Sequence, residues 1–580
     1  MKFGPDKYRL VINNIPEQTI TEILEYLNAE QVVNRIWERD YTLWKNEPTE
    51  INNRLGWLDS YKRMAGALPE IDIFVEQIRN EGFNQALLLG MGGSSLAPGV
   101  FRKIFGVRSG YIDLNILDST DPEAIADKEE KINLQKTLFI VSTKSGGTIE
   151  TLSLMNYFYN RVLQSLGANN AGRHFIAITD PGSGLEKTAK KLHFRKIFLN
   201  DPDIGGRYSA LSYFGLVPAS LIGMDIVTLL QNVEEFSNHA RLNNNQIINV
   251  NTAALLGAVL GLLGKNGHDK VTFIFSPDIQ PFGMWLEQLL AESTGKEGKG
   301  LLPVDGEKLK NSNCYANDRL FVCIRLDHDF TYAKEVKGLI ESGQPVIQLN
   351  LQNSYCLGRE MFRWMIATAV AGWSLRINPF DQPDVESAKI LAHEMVTKYR
   401  ETGKLYVMEP DMRLDNIEVY FGAQKFTAGD LKDIWRGFFQ NINPGTDIHK
   451  GRSYVAIQAY LKPEPNIESA LQRLRNKIST LYQIAVTTDY GPRYLHSTGQ
   501  LHKGDAGKGL FIQLTSKSPN DIPIPDRPGS DQHSISFGLL KIAQAIGDRQ
   551  ALLNANRNVI RFHLSEDLPA AIDKLTETLQ

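Results

Sequence analysis

Two stretches gather glycines and hydroxyls in the pattern of an anion-holding loop. "LLLGMGGSSLAP" carries Gly90, Gly92, Gly93, Ser94 and Ser95 after an apolar run, and "VSTKSGGTIET" carries Thr143, Lys144, Ser145, Gly146, Gly147 and Thr148 after another. Glycines let backbone amides approach an anion, the N-terminus of the following helix adds partial positive charge, and Ser or Thr hydroxyls donate further hydrogen bonds. The pair suits a sugar phosphate or a similar anion. "GMGGSS" lacks the third glycine of the dinucleotide fingerprint and no GxxxxGK[ST] occurs, which counts against a nicotinamide dehydrogenase and a P-loop kinase. A third stretch, "WLEQLLAESTGKEGKGLLP", ends an apolar helical pattern with Glu292 and Ser-Thr-Gly. A carboxylate in the last helical turn faces the unfavourable end of the macrodipole, which suits a proton acceptor better than a stabilising surface charge.

Such residues need a rigid frame. Short runs of continuous hydrophobicity alternate with helical patterns: "NQALLLG", "YIDLNILD", "TLFIVST", "HFIAIT" and "KIFLN", then "KVTFIFS", "RLFVCIRL" and "PVIQLNL". Strands without polar alternation belong in parallel sheets covered on both faces by helices. The expected class is α/β, with two three-layer α/β/α sandwich domains of parallel sheet and a C-terminal α/β segment. We place a helical extension at residues 1–48, the first domain at 49–265, the second at 266–405 and the C-terminal segment at 406–580. A helical stretch from Ser209 to Leu263 separates the two groups of strands. The last segment holds "YVAIQAYL", "QIAVTTD", "LFIQLT" and "VIRFHL" between loops rich in Pro, Gly and Asp, without sharp edges.

Composition narrows the rest. The 580 residues exceed what one core organises, and 63 Lys+Arg against 66 Asp+Glu leave a formal charge of -3 with no basic block, so nucleic acid is not an expected partner. Three cysteines, Cys314, Cys323 and Cys356, lack metal-ligand or redox spacing and point to a reducing compartment without a metal site. The N-terminus has no apolar leader, and "TAALLGAVLGLLG" is too short to span a bilayer, so a cytoplasmic protein without membrane contact is expected.

Six separated motifs then carry a resemblance: "GMGGSSLAP", "STKSGGTIET", "GGRYSALS", "WLEQLLAESTGKEGKG", "INPFDQPDVESAK" and "RYLHSTGQLHKG". From about Arg35 onward the sequence resembles glucose-6-phosphate isomerases built from two sugar-isomerase (SIS) domains. It is nearest in flavour to the isomerase half of bacterial transaldolase/glucose-6-phosphate isomerase fusions, and the early start of the similarity leaves no room for a transaldolase barrel in front. The resemblance implies that Ser94, Thr143, Ser145 and Thr148 give hydroxyls to the substrate phosphate, with Gly93 and Lys144 as backbone neighbours. It implies Glu292 as the general base, Arg207 as the guanidinium beside the reacting centre, Gln382 and Lys389 around the ring oxygen, and His496 as the ring opener. It further implies an aldose-ketose isomerase that works without metal or organic cofactor, in a homodimer whose partner chain often contributes the histidine. On that basis His496 acting within its own chain and His496 acting across the interface both stay open.

One feature departs from the family: "LHSTGQ" follows the Gln/Lys motif instead of preceding it, and His502 is a second candidate for the acid-base. Arg207 has an alternative reading as a structural partner of Asp201 or Asp203, and Lys389 as a solvated helix lysine. Glu150 is read as a cap or as a residue orienting Lys144 or Arg207. Isomerisation of another phosphosugar, or sugar-phosphate sensing without turnover, stays open as an alternative function.

Overall fold

The apolar runs become strands because each finds cover on both faces. In Thr137–Ser142, for example, all six residues are buried. The computed structural model describes residues 1–241, 251–404, 408–423, 425, 427–445 and 451–580. Among them, three large sheets organise the chain.

The first sheet is ordered Asp113–Leu117, Gln85–Gly90, Thr137–Ser142, Phe175–Thr179, Lys196–Leu199, with every neighbouring pair parallel. From Gln85–Gly90 the chain winds first to one side and then to the other, so the strand order reverses between Gln85–Gly90 and Thr137–Ser142. Ligands of open α/β sheets bind at the carboxyl ends of strands flanking such a reversal. Both hydroxyl loops leave from those two ends.

The second sheet pairs Val346–Leu351, Arg319–Leu326, Lys270–Phe275 and Leu302–Val304 in parallel. Its edge is completed by Leu10–Asn13 and Lys2–Phe3, which run antiparallel. The first 48 residues are therefore more than the helical extension anticipated. Leu10 and Ile12 alternate inward with half-exposed neighbours, a four-residue signal too short to stand out in sequence.

The C-terminal segment is more sharply built than its sequence suggested. Asn558–Leu564, Gly509–Ser516, Tyr454–Tyr460 and Ala485–Tyr490 form a parallel set, extended at the edge by antiparallel Ile417–Tyr420 and Met412–Leu414. The layered α/β class with parallel-dominated sheets is present throughout. Within the stretch from Ser209 to Leu263, Tyr213–Leu221, Ile226–His239 and Thr252–Lys265 are helices. Residues 242–250 of that stretch, and the anticipated boundary at 405–406, lie outside the described residues.

One hydrophobic cluster runs through the first two sheets, joining Leu88 and Ile140 to Trp285, Val322 and Trp364. The third sheet has its own, around Trp435, Ile457, Leu474 and Phe562. Two seams tie it to the frame. Phe537, Leu540 and Ala543 of helix Phe537–Asn554 pack against Leu89, Val141 and Leu154, while Leu501 and Phe511 pack against Ala291 and Leu302. Burying each of the leucine and phenylalanine side chains contributes about 2 kcal/mol, so the third sheet is held as part of one body. Helix Phe537–Asn554 also lies hard against helix Val385–Thr402, since a Cβ on Gly547 would come within 2.9 Å of the Ala392 nitrogen. Among the described residues no helix is long and apolar enough to cross a membrane.

Candidate active site

The first hydroxyl loop closes as the turn Gly92–Ser94 into helix Leu96–Phe105, and the second runs into helix Ile149–Leu166. Ser94 and Thr143 are buried. The Thr143 and Thr148 hydroxyls lie 3.0 Å apart, and Ser145 Oγ accepts from the Gly147 N–H at 3.3 Å. Lys144 sends its ammonium to an ion pair with Asp180 and to the Pro202 carbonyl at 2.7 Å.

The glycines earn their place through close contacts as well as amide exposure. A Cβ on Gly93 would lie 2.0 Å from the Gly206 carbonyl oxygen, and one on Gly92, at φ +55°, would lie 2.8 Å from the His496 carbonyl oxygen. The loop is thus clamped between the turns that carry Arg207 and His496.

Arg207 is buried and fully engaged. Its Nε donates to Ser293 Oγ at 2.7 Å, one terminal nitrogen to Gln382 Oε1 at 3.0 Å, and the other to the carbonyls of Pro379 and Asp381 at 2.8 and 2.9 Å. The nitrogen that holds Gln382 stands 3.2 Å from Glu292 Oε1. Asp201, one of the two alternatives in sequence, pairs instead with Arg63. Glu292 sits on helix Phe282–Thr294, which buries Phe282, Trp285, Leu286 and Leu289 on its core side. One turn earlier, Gln288 donates to Glu292 Oε2 at 3.1 Å and to the His496 carbonyl at 2.7 Å. That i,i+4 spacing was visible in sequence, but its purpose was not.

His496 reaches this site from its own chain, one of the two arrangements the sequence left open. The parallel connection from Ala485–Tyr490 delivers the turn Arg493–His496 to the frame. His496 Nε2 meets Glu150 Oε1 at 2.9 Å, and that oxygen also accepts from Gln544 Nε2 at 2.7 Å. Thr120 Oγ1 donates to Gln544 Oε1 at 3.0 Å and so fixes which way the amide faces. Burial pushes the Glu150 carboxyl up, but the His496 imidazole, its hydrogen bond and the Lys389 charge outweigh it and hold the group below the usual carboxylate range. A carboxylate beside Nε2 keeps the proton on that nitrogen and leaves Nδ1 as the free face.

Glu150 is therefore the partner of His496, not of Lys144 or Arg207. His502 is fully buried, faces Gln458 at 3.3 Å, and is driven well below its ordinary pKa by burial and the charges of Lys503 and Arg557. It lies away from the loops because its short helix, Gly499–Gly504, turns it toward Tyr454 and Phe511.

A cavity of about 570 Å³ opens among Ser145, Thr148, Glu150, Lys389, His496 and Gln544. Lys389 stands at its mouth, paired with Glu386 at 3.1 Å. Arg207, Glu292 and Gln382 do not line this cavity; Gln288 links the two groups. A second cavity, about 300 Å³ beside Cys323 and Val336, contains none of these residues.

The phosphoglucose isomerase family model matches residues 76–306, a span that contains both hydroxyl loops, Arg207 and Glu292. A probable glucose-6-phosphate isomerase of Methanococcus maripaludis is 30% identical over 392 residues, 60% of this chain and 85% of that protein. A glucose-6-phosphate isomerase of Thermus thermophilus is 27% identical over 399 residues, covering 60% and 91%. The crystal structure of a glucose-6-phosphate isomerase from Chlamydia trachomatis shares the fold, with TM-score 0.57 at 17% identity, 69% of this chain and 90% of that one. The chain belongs to the phosphoglucose isomerase family.

Proposed function

We propose that this protein interconverts glucose 6-phosphate and fructose 6-phosphate through ring opening and a cis-enediolate. The observation that carries this reading is Glu292, a carboxylate held between Arg207 and Gln288 on the frame that also presents the hydroxyl loops. Ser94, Thr143, Ser145 and Thr148 anchor the phosphate, and the anchored end sets where the first two carbons fall. His496 moves a proton between the anomeric hydroxyl and the ring oxygen, with Lys389 beside it. Glu292 then takes the proton from C2 of the aldose and returns it to C1, while the hydroxyl proton passes from O2 to O1. Negative charge that builds on those oxygens meets the Arg207 guanidinium, already fixed by its other contacts.

The cytoplasm, where such a sugar phosphate is found, is the proposed location. A homodimer remains part of the proposal, although every group named here lies on one chain. The test is a coupled assay that oxidises glucose 6-phosphate as it forms from fructose 6-phosphate. Turnover is expected. Tight binding of the sugar phosphate without turnover would replace this reading by a sensor, and turnover of mannose 6-phosphate alone would change the substrate.

A further inference from the structure

The residue that follows the Ser-Thr-Gly of the Glu292 helix is a lysine that the proton transfers above leave unused. Lys296 is 1% exposed. Its ammonium donates to the Asp381 carbonyl at 2.5 Å and to Asp381 Oδ1 at 2.7 Å. The same carbonyl accepts from Arg207 at 2.9 Å, and Arg207 also holds Gln382 and faces Glu292. Two buried cations thus converge on one peptide oxygen. Burying an ammonium is expensive, and an apolar side chain of similar size would serve packing as well or better. Charge-assisted hydrogen bonds are about twice as strong as neutral ones, so what the pair supplies is rigidity in the segment that ends at Gln382.

We propose that Lys296 is a positioning residue of the isomerisation, an inference that rests on the reading above: it locks residues 379–382 so that Gln382 and Arg207 stay aligned with Glu292, and it adds a second positive charge to their cluster. The groups that face it are Arg207, Glu292 and Asp381. On the other side, the backbone of Gly504 packs against its Cα beside Asp384, which Gln500 holds at 2.6 Å. Lys299 is joined to Lys296 through the backbone, while Lys503 is engaged with Asp548 at 2.6 Å and Glu297 with Lys45 at 2.7 Å. Two cations and two carboxylates balance while Lys296 is protonated. Burial, ahead of the Arg207 charge, brings its ammonium down to about 8, with Asp381 and Glu292 offsetting part of the shift. Above that pH the cluster turns negative just where the reaction itself builds negative charge.

The experiment measures kcat and KM for fructose 6-phosphate from pH 6.5 to 9.5 in wild type, Lys296→Met and Asp381→Asn, with thermal melting as the check on folding. Wild type is expected to lose kcat along an alkaline limb near pH 8. Lys296→Met should lower kcat at least tenfold at pH 7.5 with KM changed less than threefold, and its profile should lack that limb. Asp381→Asn removes a negative partner of the ammonium, so its limb should move to lower pH. A folded Lys296→Met with kcat within twofold of wild type would overturn the inference. So would an alkaline limb that neither substitution moves. If Lys296→Met does not fold, the direction of the Asp381→Asn limb decides alone. A wild type without turnover would instead overturn the isomerase reading, which keeps the two failures distinct.

Discussion

His496 Nε2 and Glu150 Oε1 stand 2.9 Å apart although 346 residues separate them in the chain. Glu150 opens the helix that follows the second hydroxyl loop, and His496 ends a turn of the third sheet, so the dyad forms only when that sheet docks on the frame. The seam that docks it runs along helix Phe537–Asn554, which puts Gln544 on Glu150 and Lys541 on Asp121 in a buried ion pair at 2.8 Å. The same helix supports Val385–Thr402 and hence Lys389.

If this dyad opens the ring, its loss should matter only for substrates that have a ring to open. His496→Ala and Glu150→Gln are each expected to lower kcat/KM for fructose 6-phosphate about a hundredfold, the usual scale of general acid-base assistance. Gln544→Leu should cost less, about tenfold, because it removes one side-chain donor to Glu150 and leaves His496 in place. A four-carbon aldose phosphate has no free hydroxyl to close a ring. Exchange of its C2 proton with solvent should differ less than threefold between wild type and His496→Ala. An equal loss on both substrates would assign His496 to another step.

Glu292 is engaged by both Arg207 and Gln288, and its replacement separates binding from turnover. Glu292→Gln keeps the size and one hydrogen-bonding oxygen but no longer accepts a proton from carbon. A fall of at least a thousandfold in kcat is expected, with the inhibition constant of a sugar phosphate within fivefold of wild type. Retained activity in this variant would remove Glu292 as the base.

Arg207→Lys tests the guanidinium. Arginine here directs donors to Ser293, Gln382, Pro379 and Asp381 in a planar fork, whereas an ammonium has three donors and no fork. The substitution is expected to lower kcat at least a hundredfold, on the order of 3 kcal/mol of transition-state stabilisation, and to change KM much less. A rise in KM with kcat unchanged would mean that Arg207 binds ground and transition states alike.

The single-chain origin of the site makes its own prediction. Gln288 donates to Glu292 and to the His496 carbonyl at once, so the structure joins Glu292 and His496 within one molecule. Mixing His496→Ala with Glu292→Gln should leave activity at the sum of the two variants, even after co-expression. Recovery toward a quarter of wild type would show that subunits exchange the histidine.

Much of this was legible in sequence because it is local. The hydroxyl loops follow strands whose hydrophobicity is continuous, and Glu292 ends a helix whose apolar face repeats on schedule. What stayed hidden is long-range. Glu150 could be matched to Lys144 or Arg207 as readily as to a histidine from the far end of the chain. Gln544 and Lys296 carry no signal, since a glutamine on a buried helix and a lysine in a glycine-rich turn look ordinary until their partners are placed. The edge strands at Lys2–Phe3 and Leu10–Asn13 are too short for any periodicity to emerge.

His502 is a buried histidine outside the proposed site. It is neutral in the fold because burial and the neighbouring Lys503 and Arg557 disfavour its charge, whereas an unfolded chain protonates it near pH 6.5. A group whose folded pKa is depressed contributes its full stability above the unfolded value. The unfolded state binds the extra proton below it, so stability drains away as pH falls from about 6.5, by about 1.4 kcal/mol per unit. His502→Gln removes that linkage. The drop in unfolding free energy between pH 7.5 and 5.5 should therefore be roughly 1 kcal/mol smaller in the variant than in wild type, while kcat at pH 7.5 stays within threefold. A variant with undiminished acid sensitivity would mean that His502 is protonated in the fold. A hundredfold loss of kcat would give it the acid-base role proposed above for His496.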